Sequence, residues 1–233
     1  MAVGAAPLVR RGDPAALEAA LRLARPVSLS GEQRLDVLEA FQPLFPGGAL
    51  QRGSVVGVRG AGSRSLSIAL AAGPAQGGSW TMAFGLNGLG LAAVGELGVV
   101  LSRLVVVPAP TVEAIAAAID SVDVVLVNSR VLSSSDARRL QSRARDRGCV
   151  LVLLGPPPLE PDVTLEVVKS QWEGIDDGAG VLRSRRVTVV GGGRRAAARP
   201  RRADIWLPDA DGRVRPAGAE LHQLSVTGPV TGP

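Results

Sequence analysis

The sequence predicts an α/β domain: a doubly wound, mostly parallel sheet with antiparallel strands added at its C-terminal edge. Three observations carry this. Short, continuous, β-branched apolar runs recur from about residue 54 onward, as strands covered on both faces require. Between them lie stretches with helical spacing, such as Val112, Ile115, Ala116 and Ile119; a helical crossover between strands makes them parallel. After Pro158 the runs are separated only by short turns, which reads as antiparallel pairing.

Residues 1–12 have no periodicity and read as a disordered start. Asp13-Pro14 then supplies an N-cap and a first-turn proline for a helix to about Ala24, ended by Arg25-Pro26. Ser30 is expected to cap a second helix with Leu35, Leu38 and Phe41 on one face, broken by Pro43, Pro46, Gly47 and Gly48. Strands are expected at Val55–Val58, Trp80–Phe84, Leu104–Val107, Val122–Val127 and Val150–Leu154. Helices fill the gaps: from the RGAGSRS turn to about Ala72, around Leu91–Gly98, at Val112–Ile119 and at Asp136–Arg145. Thr164–Trp172, Val181–Val190 and Ala203–Leu207 form the edge extension. The division is therefore an N-terminal helical segment (1–44), a core (45–212) and a loose Gly/Pro-rich tail (213–233).

Composition bounds the chemistry. With 233 residues, 46% hydrophobic and 20% charged, the chain is long enough for one core and too apolar for global disorder. No apolar run reaches the roughly 18 residues of a membrane span. The start MAVGAAPLVRRGDP lacks a signal-peptide stretch, so a cytoplasmic location is expected. A single cysteine, Cys149, and a single histidine, His222, exclude an intramolecular disulfide and a His/Cys zinc cluster. Ser-His-Asp catalysis would have to rest on His222, in the tail. Of the 26 basic residues 25 are arginine, and the one lysine is Lys169. The net charge of +5 permits an anionic partner.

GVRGAGSRSLSIAL (57–70) has the setting of a phosphate-binding loop: strand, glycine turn, helix. Gly57 and Gly62 have the right spacing, but Ser63 then stands where the lysine belongs and Arg64 where the Ser/Thr belongs. A register from Gly60 places Ser65 at the second glycine and Leu66 at the lysine. Neither register provides the ammonium that neutralises phosphates. Two readings stand at this point: a vestigial phosphate loop, or an ordinary glycine-rich strand-to-helix turn.

Arg183, Arg185, Arg186, Arg194, Arg195, Arg199, Arg201 and Arg202 fall in a segment without an acidic residue from 183 to 203. It is a candidate for DNA-backbone contact through Arg183, Arg185, Arg186, Arg194 and Arg195; the alternative is a solvated edge. No aromatic residue interleaves these arginines, which argues against a stacking platform for single strands. Cys149 is expected to be a buried thiol. Core packing is expected of Trp172 and of Trp206, although Trp206 is also a candidate partner contact. Asp176-Asp177 beside Gly178 reads as a turn rather than a metal site.

Several strings, in order, resemble the nucleotide-binding core of the RecA recombinase family. PGGALQRGSVVGVRG resembles the lead into its first core strand, and VDVVLVNS (122–129) its second nucleotide motif, with Asn128 where the acid would stand. Leu86 falls at the place of the catalytic glutamate. CVLVLLGP ends in Gly155-Pro156 instead of Asn-Gln. In RSRRVTVVGGG (183–193), Gly191 and Gly193 stand at the positions of two lysines that reach a neighbouring subunit's nucleotide. The framework persists while the nucleotide chemistry is exchanged. LEAFQPLFPGGALQRGSVVGV, the lysine-less GAGSRSLSIAL and GSWTMAFGLNGLGLAAVGELGV are similar to the degenerate RecA-fold accessory proteins of the ImuA type, particularly the actinobacterial ImuA-prime branch.

That resemblance implies a RecA-like fold, no enzymatic activity, no cofactor and no catalytic or metal residue. It implies a non-catalytic adaptor of the damage-induced translesion-synthesis complex, or mutasome. The partners would be an inactive Y-family polymerase homologue and, through it, an error-prone C-family DNA polymerase, with nucleoid association after damage. Alternatives are an SOS-type cell-division inhibitor and a divergent ATP-dependent recombinase or NTPase. Partner contact is expected in the C-terminal third, through Arg199, Arg201, Arg202, Trp206, Leu221 and Leu224, and deletion of residues 205–233 is expected to abolish it without unfolding the core.

Overall fold

The computed structural model describes residues 34–176 and 179–218. The expected helix at 13–24, the Ser30 cap, the Asp177-Gly178 part of the turn, Leu221, His222 and Leu224 lie outside these residues.

The mixed α/β architecture is as expected. Its strands are β1 (Arg34–Asp36), β2 (Ala49–Gln51), β3 (Val55–Gly60), β4 (Thr81–Phe84), β5 (Leu104–Val107), β6 (Val124–Asn128), β7 (Val150–Leu154), β8 (Val163–Asp176), β9 (Ala179–Gly193), β10 (Arg201–Trp206) and β11 (Arg215–Pro216). Its helices are α1 (Ser63–Ala69), α2 (Ala72–Gln76), α3 (Leu91–Glu96), α4 (Val112–Ser121) and α5 (Ser134–Arg147). Nine strands form one sheet in the order β11-β10-β9-β8-β3-β7-β6-β4-β5. The pairs from β8 through β5 are parallel; the remaining three are antiparallel.

The apolar strand runs are explained by two cores, one on each face of the sheet. Val56, Val58, Ala83 and Val152 meet α1, α2, α3 and the segment before β3 on one face. Val55, Met82, Phe84 and Leu153 meet Ile115, Ile119 and Leu140 of α4 and α5 on the other. Each fully buried aliphatic side chain stabilises the fold by roughly 1.5–3 kcal/mol relative to exposure. Local chemistry sets the ends of α4 and α5. The Ala114 N–H donates to the Thr111 hydroxyl at 3.2 Å, and the Asp136 N–H to the Ser133 hydroxyl at 3.1 Å, as N-caps do. Gly148 at φ 70° closes α5, the left-handed cap that glycine adopts without steric cost.

Several expectations need correction. Leu35, Leu38 and Phe41 do not share an α-helix: residues 34–36 pair antiparallel with β2, and Glu39–Leu44 form a 3₁₀ helix containing Pro43. Leu35, Val37, Phe41 and Leu44 are buried in the main core; Pro43 supplies no N–H for an α-helical bond. Residues 213–218 of the expected loose tail are placed on the sheet, because β11 pairs with β10 and the Ala217 N–H donates to the Asp204 carbonyl at 2.9 Å. Finally, Ile205 and Leu207 are fully buried, so deletion from residue 205 removes core and would unfold the domain.

The β8–β9 hairpin is longer than the rest of the sheet. β8 pairs with β3 only through Val167, then continues with β9 alone through irregularities at Val167/Lys169 and Glu173/Ile175. Val168, Trp172, Val181 and Leu182 are exposed there. Trp172 is therefore not a core residue, whereas Trp206 is half-buried. Among the described residues no helix is long and apolar enough to cross a membrane.

Candidate functional site

The turn after β3 is where an α/β sheet of this kind ordinarily receives a phosphate group, at the carboxyl end of a parallel strand. Here it is short. Strand pairing to β8 persists to Gly60 and α1 begins at Ser63, so only Ala61 and Gly62 lie between. Gly57, the first glycine of the motif spacing, is inside the strand. Its role is packing: a Cβ there would lie 2.7 Å from Pro161 Cγ. Gly60 (φ 94°) and Gly62 (φ 85°) are left-handed, a conformation that costs other residues about 1–2 kcal/mol.

The cation beside this turn comes from elsewhere in the chain. Arg185, on β9, places its guanidinium against Gly62, with Nη1 2.5 Å from where a Cβ would project. The side chain is 8% exposed. Its Nε–H donates to the Leu207 carbonyl at 2.8 Å, and its Cζ lies 5.2 Å from the centre of the Trp172 ring. Nη2 is buried without a hydrogen-bond partner. Burial lowers the Arg185 pKa from its ordinary value, but a guanidinium stays charged. The result is a fixed positive charge packed on the turn where the motif lacks its lysine.

The other exchanged positions have structural explanations. Leu86 is 2% exposed and part of the core. Asn128 ends β6, and its side-chain oxygen accepts from the Arg130 N–H at 3.2 Å. Gly155 has φ 96°, and the neighbouring Ser129 hydroxyl donates to the Leu154 carbonyl at 2.8 Å. Gly191 sits opposite Leu165 and Arg201 within the sheet; a Cβ there would lie 3.0 Å from the Leu44 carbonyl oxygen. Gly193 pairs with Val163. Ser63 and Ser65 are half-buried at the start of α1, and Arg64 donates to the Asn87 carbonyl.

The candidate arginines do not form one stripe. Arg185 is withdrawn into the hairpin root and is removed from any exposed DNA-binding surface. Arg183 is exposed further along the hairpin, and Arg186 is half-buried. Arg194 and Arg195 line a pocket with residues of other segments. Arg199 is exposed, Arg201 donates to the Ala196 and Arg199 carbonyls at 3.3 Å, and Arg202 lies 3.8 Å from Asp204. Sequence reading missed the Arg185–Trp172 pair. The two face each other across the hairpin, but the register irregularity at Glu173/Ile175 hides this when residues are counted back from the turn.

The sequence has relatives among known proteins. The chain is 36% identical over 119 residues to the uncharacterized protein Rv3395c of Mycobacterium tuberculosis, covering 49% of this chain and 52% of the relative. It thus spans about half the length of that curated relative. Residues 43–159 run from the 3₁₀ turn before β2, through the glycine turn and the parallel strands, to just past β7. Over that stretch they match the family described as the MT3502 N-terminal domain, and the chain belongs to this family.

Proposed function

We propose that the chain is a non-catalytic, RecA-like adaptor of a damage-induced translesion-synthesis complex. It would bind an inactive Y-family polymerase homologue and, through it, an error-prone C-family polymerase. The observation that carries the reading is the closed turn at 60–63. Arg185 packs on it within a sheet that has the expected layout, parallel strands with an antiparallel extension beside β3. Leu86 and Asn128 at the acidic positions support the same reading, since phosphoryl transfer depends on positioned charges each worth orders of magnitude in rate. The exposed Val168, Trp172, Val181 and Leu182 on the hairpin support partner contact in the C-terminal third, because tryptophan is enriched at interface hot spots.

The test has two arms. Magnesium-dependent ATP hydrolysis with single-stranded DNA is expected to stay at background; turnover abolished by changing Ser63 or Arg64 would overturn the non-catalytic reading. Co-purification with the inactive polymerase partner is expected for the intact chain and lost in Trp172→Ser/Leu182→Ser, with circular dichroism confirming the fold. Absence of co-purification by the intact chain would overturn the adaptor reading.

A further inference from the structure

At the opposite end of β3 from the glycine turn lies a pocket of about 340 Å³. Its wall carries Arg34, Arg52, Arg145, Arg194 and Arg195, with Asp162 as the one acidic group. These side chains come from the start of β1, the β2–β3 turn, the end of α5 and the turn after β9. Its floor is apolar, from Phe45, Ala49, Val163 and Ala197.

The internal ion pairs leave charge over. Asp162 serves Arg194 at 3.1 Å and Arg145 at 3.9 Å, Glu160, outside the lining, also lies 3.9 Å from Arg194, and Asp123, behind the wall, holds Arg52 at 2.7 Å. Arg34 and Arg195 have no ion pair or side-chain hydrogen bond among the described residues, and both are exposed. Their positions are nevertheless set. The Arg34 guanidinium packs on Gly47, where a Cβ would lie 2.7 Å from Nη1. Arg195 is the one non-glycine residue with positive φ, 53°, among the described residues. Such backbone costs energy and is found clustered where function requires it.

We propose that this pocket captures a short acidic segment of a partner protein. One apolar side chain sits on the floor and flanking carboxylates pair with Arg34 and Arg195. Carboxylates are the groups that its arginines already bind within the chain, and the arginine fork matches them. A nucleic-acid backbone suits the site less well. The cavity is small and concave, its apolar floor offers nothing to phosphate, and its one aromatic, Phe45, is 3% exposed, leaving no ring for a base to stack on. The inference does not rest on the adaptor reading, since it uses neither the glycine turn nor the hairpin.

The experiment is fluorescence polarisation of a labelled octapeptide, one leucine flanked by aspartates, titrated with the full chain at about 0.15 M salt. Saturable binding is expected, weakened about tenfold or more by Arg34→Ala and by Arg195→Gly. The second variant also relieves the left-handed backbone, so it should melt no lower than the parent. Replacing the peptide's leucine by glycine should weaken binding comparably. No saturable binding, equal binding of the leucine-free peptide, or tighter binding of a labelled oligonucleotide through the same arginines would each overturn the proposal.

Discussion

Replacing Arg185 by alanine tests whether the guanidinium packed on the glycine turn is a structural element. Three effects compete. The bond to the Leu207 carbonyl (2.8 Å) is a charged hydrogen bond, worth about 1.5–3 kcal/mol. The contact with Trp172 (5.2 Å) adds about 0.5–1 kcal/mol. Against these stands the desolvated Nη2 without a partner, whose burial costs about 1–3 kcal/mol. Truncation also leaves the Leu207 carbonyl short of one donor. The balance is a loss of about 2 kcal/mol, or about 4–8 °C in Tm for a chain of this size. Gly62→Ala sharpens the test. Alone it must bear the left-handed backbone cost and also displace the guanidinium; in the Arg185→Ala background only the backbone cost remains. The double variant should therefore be more stable than the sum of the singles implies, by about 1 kcal/mol. Urea denaturation of the four chains, followed by tryptophan fluorescence, reads this directly. Strict additivity, or no loss in Arg185→Ala, would refute the reasoning.

Three further outcomes follow from burial and charge. Leu86→Glu, which restores an acid at the motif position, should destabilise the domain strongly rather than create a base, because the site is 2% exposed and an unpaired carboxylate resists burial; thermal melts check this. The Asp120 pKa is lowered below its ordinary 3.8, first by the Arg143 hydrogen bond and also by the charges of Arg143 and Arg147. Its stabilisation is thus present above that ordinary value and lost as pH falls through the lower folded value. The stability gap between the parent and Asp120→Asn in urea melts should accordingly narrow between neutral pH and about pH 3. The Cys149 thiol is fully buried and its pKa is raised by that burial, so it should resist iodoacetamide at pH 8 in the folded chain and react once unfolded.

The parallel half of the sheet was legible because each strand is buried on both faces, which leaves a continuous apolar run in the sequence. Residues 34–44 were not. Leu35, Leu38 and Phe41 have helical spacing by accident, since a strand as short as Arg34–Asp36 leaves too little alternation to compete. β11 was missed for a similar reason: Arg215–Pro216 has no apolar face, and its order comes from pairing with β10. At the turn, the missing lysine was plain, but the arginine that packs there was not. Arg185 looks like its neighbours Arg183 and Arg186, and only Trp172 and Leu207, both distant in sequence, distinguish it. The basic pocket was still less accessible, because its walls come from separate segments that meet only in the fold.

The hairpin root has a mechanical consequence. Beyond Trp172, β8 continues for four residues to Asp176, a reach of about 13 Å at the rise of a strand. Such an arm would ordinarily pivot freely where it leaves the sheet. Here Arg185 is the place of departure: its backbone is bonded to Leu207 and Pro208, its guanidinium lies on Gly62, and Trp172 of the opposite strand rests on it. The arm cannot swing without levering that guanidinium off the turn. A load applied along the arm is therefore coupled, through that guanidinium, to the start of α1.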